Sequence, residues 1–224
     1  MSALTAARLA ILISGRGSNM TAIVRACQSG ALRARPVVVI SDRAEAAGLE
    51  SARELGIETA VLASQSGPAG FERSLEAALA EREPTLIALA GFMRVLPGPL
   101  VDRYLGRMLN VHPSLLPAYR GLHTHRRALV AGAREHGASV HFVTAQLDAG
   151  PVVLQSKVAV EPGDTEATLA ARVLATEHII YPRALGWCAE GRLSWHDGGP
   201  WLDGQRLESP VVEDFRATAR NAGN

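Results

Sequence analysis

The chain predicts a doubly wound α/β fold: a mostly parallel, Rossmann-like sheet carrying an antiparallel C-terminal hairpin. Three observations carry this reading. Apolar runs of strand length, bounded by turn residues, recur through the first half, as expected of parallel strands covered on both faces. Segments with helical apolar spacing separate them. Later the pattern changes to strict alternation around an Asp-Ala-Gly-Pro turn, the mark of an antiparallel pair.

The elements follow in order. Leu9–Ser14 (LAILIS) is a buried strand that ends in glycines. Ser18–Gln28 places Met20, Ile23, Val24 and Cys27 on one helical face. Pro36–Ser41 (PVVVIS) is the second strand, Glu45–Leu55 a helix closed by Gly56, and Ile57–Leu62 a weaker strand. Phe71–Glu81 is amphipathic, and Thr85–Ala90 (TLIALA) is again a buried strand. Pro97 and Pro99 open a short helix through Leu100, Val101 and Tyr104. Arg107–Val111 is the next strand, and His123–Arg134 reads as a helix. Ala138–Thr144 and Val152–Val160 alternate and are joined by Asp148–Pro151. Asp164 or Thr165 caps a long helix through Leu185, and a small hairpin and tail follow. The expected organisation is a single domain over 1–207, with an N-terminal phosphate-binding half over 8–106 and a C-terminal half over 107–207; residues 208–224 form a tail.

The totals exclude several classes of function. A chain of 224 residues buries a substantial core. A net charge of +1 gives no broad field for nucleic acid or an anionic membrane. Cys27 and Cys188 are far apart and form no CxxC, so they read as reduced thiols. The first residues lack the long apolar core of a signal peptide, and no run approaches a membrane span. A cytoplasmic protein that binds small molecules is expected.

The chemistry concentrates where one strand ends. In Asn110–Val111–His112–Pro113, alternate side chains share a face, so Asn110 and His112 stand side by side. A neutral amide donor next to a titratable ring suits the stabilisation of an oxyanion. Pro113 and Pro117 stiffen the exit. Asp148, at the hairpin turn, is a candidate partner that favours the imidazolium and orients the ring, although Asp in a turn with a nearby Gly is also ordinary turn chemistry.

Gly15–Arg16–Gly17–Ser18–Asn19 follows the first strand and opens the first helix. Backbone N–H groups there approach a phosphate, aided by the helix dipole; Ser18 read only as a cap is the plain alternative. A dinucleotide fingerprint wants glycine where Met20 stands, which disfavours NAD, although Asp42 lies near the place of its ribose ligand. Glu177 shares a helical sector with Ala170, Val173 and Leu174 and needs a partner, either a salt bridge or a bound amine. His123 and His125 point to different sides of a helix and lack the spacing of a zinc pair, so no metal site is expected, only a solvated basic helix start.

Taken together, ISGRGSN, LAGFMRVL, NVHPSLLPAYRGLHTH, GASVHFVTAQLDAGPVVLQ, TEHIIYP and DGQRL resemble the glycinamide ribonucleotide formyltransferases, within the folate-dependent formyltransferase family. The resemblance runs from Leu9 to about Leu207. It implies direct transfer of a formyl group from 10-formyltetrahydrofolate, as co-substrate, to the amine of glycinamide ribonucleotide in purine biosynthesis, with no metal. It further implies that Asn110, His112 and Asp148 are catalytic. Gly17, Ser18, Asn19 and Glu177 then bind the ribonucleotide. Met93, Arg94, Val95 and Leu96 form the folate wall with Asn110 and with Thr144, Ala145, Gln146, Leu147 and Asp148. The sequence leaves open whether the chain acts alone or as a homodimer.

There are departures from the family pattern: Arg16 where Asn is frequent, Arg120 where Pro is frequent, and Pro68 where an Arg associated with folate is expected, with Arg73 as a substitute. Two related activities predict extra domains. Methionyl-tRNA formyltransferase adds a tRNA-binding domain, and formyltetrahydrofolate deformylase usually adds an N-terminal regulatory one. A non-catalytic nucleotide-binding domain would leave the combination of Asn110, His112 and Asp148 unexplained.

Overall fold

Strand β1 (Ala7–Ile13) lies inside the main sheet, and the chain builds outward from it on both sides. The computed structural model describes residues 6–62 and 67–216. From β1 the chain passes through α1 (Ser18–Gln28), β2 (Ala34–Ser41), α2 (Ala47–Glu54) and β3 (Thr59–Val61) to one edge of the sheet. It then crosses back through α3 (Gly67–Arg82) to β4 (Leu86–Leu89), which pairs with the other side of β1, and through α4 (Gly98–Arg103) to β5 (Met108–His112). All these pairings are parallel. The order therefore reverses between β1 and β4, and ligands of such sheets bind in the crevice at the carboxyl ends around that point.

Beyond β5 the pairing becomes antiparallel. Helix α5 (Thr124–Val130) leads to β6 (Glu135–Phe142), which pairs with β5 and with β7 (Val152–Ala159). Helix α5 ends earlier than its periodicity suggests, because the chain from Glu135 already pairs with the end of β7. Helix α6 (Glu166–Ala189) crosses the sheet, capped by Thr165 in a reciprocal box with Thr168. Asp164 is not the cap; it pairs with Arg172 at 2.7 Å, which holds its carboxyl down at about 2. A separate three-stranded sheet follows: β8 (Leu193–His196), β9 (Gly199–Leu202) and β10 (Gln205–Arg206). Strand β11 (Val211–Asp214), from the stretch read as a tail, adds in parallel to the free edge of β7.

The two faces of the sheet carry separate cores. Leu9, Ile11 and Ile13 of β1 pack with α1, α2 and α6; Ala10 and Leu12 pack with α3 and α4. Each fully buried Leu or Ile contributes about 1.5–3 kcal/mol. Tyr181 of α6 is fully buried, and its hydroxyl lies 3.0 Å from the Leu89 carbonyl and 2.9 Å from that of Leu109. That contact fixes α6 against the ends of β4 and β5, one turn from Glu177. Among the described residues, no helix is long and apolar enough to cross a membrane.

Candidate active site

Three strand ends and two loops enclose a cavity of about 560 Å³. Its lining includes Asn110 and His112 from β5, the loop Phe92–Leu96 after β4, and Val143–Asp148 between β6 and β7. Asn19, Glu177, Leu122 and His125 complete the side toward α1 and α6. Of the catalytic, ribonucleotide and folate residues that the resemblance implies, Gly17 and Ser18 alone are not on this lining.

Strand β5 delivers its two polar side chains as the alternation requires. His112 is buried and presents both ring nitrogens to acceptors: Nε2 donates to the Tyr119 carbonyl at 3.0 Å, and Nδ1 lies 3.4 Å from Asp148 Oδ2. Asp148 adopts a left-handed backbone (φ 48°), which Asp tolerates better than most residues, and the hairpin thereby turns the carboxylate toward β5. The same Oδ2 accepts from the backbone N–H of Gly121 at 2.9 Å. The loop after His112 is thus tied to both His112 and Asp148. Its base is held separately: Ser139 Oγ accepts from Leu116 N at 3.0 Å and donates to Ser114 O at 2.6 Å.

The sequence reading did not single out His141, which lies opposite Asn110 in the β5–β6 register. Its Nδ1–H donates to the Phe142 carbonyl at 2.9 Å, leaving Nε2 to accept from Asn110 Nδ2 at 3.1 Å. Burial pushes the ring's pKa down, which favours this neutral form. The Asn110 amide is therefore oriented by a fixed acceptor, with its second N–H left over. His125 also departs from the expected solvated helix start. Its Nδ1 is 3.2 Å from His136 Nε2, and burial pushes His136 down to about 4. Among the described residues, no cluster of three or more His, Cys, Asp or Glu is arranged to hold a metal.

The glycine turn is built differently. Gly17, not Ser18, is the N-cap of α1, with φ 74° and no side-chain cap, so the first N–H groups of the helix have no capping side chain. A Cβ on Gly17 would lie 2.8 Å from the Gly48 Cα. Gly48 N donates to Gly15 O at 3.0 Å, so α2 packs directly on this turn. Asn19 and Glu177 are both buried, and Asn19 Nδ2 donates to Glu177 Oε2 at 2.6 Å. Burial raises the Glu177 carboxyl above its ordinary range and the Asn19 bond partly offsets this. Asn19 Oδ1 is buried with no donor. An orphaned acceptor beside a buried carboxylate suits a ligand rich in N–H or O–H groups.

Asp42 does not project into the cavity as a ribose ligand would. Its Oδ1 accepts from Ser14 Oγ at 2.6 Å and its Oδ2 lies 3.2 Å from Arg94 Nε. Arg16, Arg73 and Arg120 are exposed. The Pro68 side chain lies outside the described residues.

Residues 7–185 match the family described as Formyl transferase. The chain is 49% identical over 201 residues to the phosphoribosylglycinamide formyltransferase of Escherichia coli (strain K12), covering 89% of this chain and 95% of that one. It is 41% identical over 206 residues to the enzyme of the same name from Haemophilus influenzae, covering 89% and 95%. The structure of the Coxiella burnetii phosphoribosylglycinamide formyltransferase superposes with a TM-score of 0.88 at 47% identity, covering 92% of this chain and 98% of that one. The chain therefore belongs to the phosphoribosylglycinamide formyltransferase family.

Proposed function

We propose that this protein transfers the formyl group of 10-formyltetrahydrofolate to the amine of glycinamide ribonucleotide, in purine biosynthesis. The observation that carries the reading is the convergence of Asn110, His112 and Asp148 on one cavity whose two sides differ in chemistry. The folate wall is Met93–Leu96 with Thr144–Asp148, which offers the exposed apolar side chains of Met93, Val95 and Leu147. The ribonucleotide side is the uncapped N-terminus of α1, which suits a phosphate, together with Asn19 and Glu177.

In the reaction the amine nitrogen attacks the formyl carbon and the carbonyl oxygen becomes an oxyanion. Asn110 donates to it with the N–H that His141 leaves free. His112, with Asp148 facing its Nδ1, stabilises the same charge and gives a proton to the departing folate nitrogen. The bond from carbon to that nitrogen breaks, the carbonyl re-forms, and the attacking nitrogen loses its proton to the His112–Asp148 pair. The Nε2–H of His112 rests on Tyr119 O, so a partner exchange accompanies the transfer. Glu177 accepts hydrogen bonds from the ribose or amine of the ribonucleotide. The reading calls for small, soluble substrates and a cytoplasmic setting. It is satisfied by a monomer or by a homodimer.

The test is to mix the pure protein with 10-formyltetrahydrofolate and follow loss of the formyl group with and without glycinamide ribonucleotide. Turnover that requires the ribonucleotide is expected. Equal turnover without it identifies a hydrolase instead.

A further inference from the structure

We propose that Asp42 is a positioning residue for the folate wall, acting through Ser14 and Arg94 to fix the loop that follows β4. The inference rests on the functional reading above and extends it to a residue off the cavity. Asp42 sits at the end of β2, where sheets of this kind often place a carboxylate that reads a ribose. Here the carboxylate is turned inward: its side chain is only 7% exposed and it is not on the cavity lining.

Its two oxygens hold two arms of the same loop. Oδ1 accepts from Ser14 Oγ at 2.6 Å, and that hydroxyl oxygen in turn accepts from the backbone N–H of Met93 at 2.9 Å. The Ser14 backbone N–H donates to Gly91 O at 3.2 Å, so Ser14 grips the loop at two points. Oδ2 accepts from Arg94 Nε at 3.2 Å, and the Arg94 guanidinium lies 4.3 Å above the Phe71 ring, which stacks on Phe92. The backbone N–H groups of Arg94, Val95 and Leu96 have no acceptor among the described residues. A loop that keeps such groups for a ligand lacks the internal bonds that would hold its own shape. The Asp42 chain supplies that hold from outside.

The chain of contacts makes a specific kinetic prediction. In Asp42→Asn the charge is lost and one of the two arms lacks its acceptor. The KM for 10-formyltetrahydrofolate should rise about tenfold. The KM for glycinamide ribonucleotide and kcat should stay within about twofold, because Asn19, Glu177 and β5 are not part of the chain. Ser14→Ala, which breaks the arm to Met93, should show the same split. The double variant should cost less than the product of the two singles. Hydrogen exchange at the Met93 amide gives a readout independent of activity, and it should accelerate in both variants. If folate KM is unchanged, or both KM values rise equally, the proposal is overturned. If only the ribonucleotide KM rises, Asp42 reads the ribose after all. If Asp42→Asn does not fold, Ser14→Ala decides by the same measurements. Wild-type protein in the same assay separates the two levels: no ribonucleotide-dependent turnover there defeats the functional reading, while the Met93 exchange rates still judge the positioning role.

Discussion

The two sides of the cavity are built on opposite plans. The side toward α1 is made by backbone packed on backbone: Gly17 against Gly48, a helix N-terminus, and a buried Asn19–Glu177 pair. The side toward the loops presents apolar side chains to solvent. Met93 is 60% exposed, Val95 69% and Leu147 56%. An exposed apolar group of this kind marks a binding surface. The polar side is preformed by secondary structure, so its specificity depends on a few atoms. The apolar side depends on loops held by a few hydrogen bonds between residues distant in sequence, such as those from Gly121 N to Asp148 and from Met93 N to Ser14. Asn110 and His112, on the strand end that lines the same cavity, would serve both sides in the proposed reaction.

That division predicts where substitutions act. Asn110→Ala removes the oxyanion donor from the shared strand and should lower kcat about 10²–10³-fold, with little change in either KM; steady-state kinetics for each substrate reads this. A loss confined to one KM would place Asn110 on one side and not between them.

The sides themselves are compared by a crossed pair. Asn19→Ala should raise the ribonucleotide KM about tenfold and leave folate nearly unaffected, because a charge-assisted hydrogen bond and a ligand contact are lost together. Leu147→Ser should do the reverse and more weakly, raising folate KM about two- to fivefold, since it removes apolar contact only. Asn19 is a better probe than Gly17, because any side chain at Gly17 meets Gly48 backbone and strains the turn whatever is bound.

The smallest effect concerns stability. The folded Glu177 carboxyl is raised above its ordinary range, chiefly by burial. The folded state then binds the proton more tightly than the unfolded state does. Its contribution is favourable at acid pH and is lost as pH rises through the raised value. Glu177→Gln should therefore melt above wild type at pH 7, with the difference shrinking as pH falls to the ordinary carboxylate range. The same variant should bind the ribonucleotide less well. A melting temperature below wild type at pH 7 would mean that Asn19 compensates the buried charge fully.

Much of this architecture was legible in the sequence, for a physical reason. Strands such as Leu9–Ser14 and Arg107–Val111 are covered on both faces, so their apolar runs are unbroken, and side-chain alternation sets Asn110 beside His112. The stripe of α6 likewise exposed Glu177 as a carboxylate on an apolar face. What was not legible depends on contacts distant in sequence. His141 matters through its register with Asn110, and alternation within a strand does not set register between strands joined by a long connection. Val211–Asp214 is short and half exposed, and becomes a strand only because the edge of β7 is free. Asp42 occupies the position of a ribose ligand, and its rotation toward Ser14 and Arg94 is a tertiary event. Asn19 was expected to meet a phosphate; its bond to Glu177 joins residues from opposite ends of the chain.

In the proposed reaction one cavity holds both substrates and the formyl group passes directly between them. The most direct measurement uses 10-formyltetrahydrofolate labelled in the formyl carbon and follows label in the folate, the ribonucleotide and free formate through a single turnover. Label should leave the folate and enter the ribonucleotide amide in equal amounts and at equal rates, with none found as formate. Label recovered as formate, at a rate indifferent to the ribonucleotide, would contradict it.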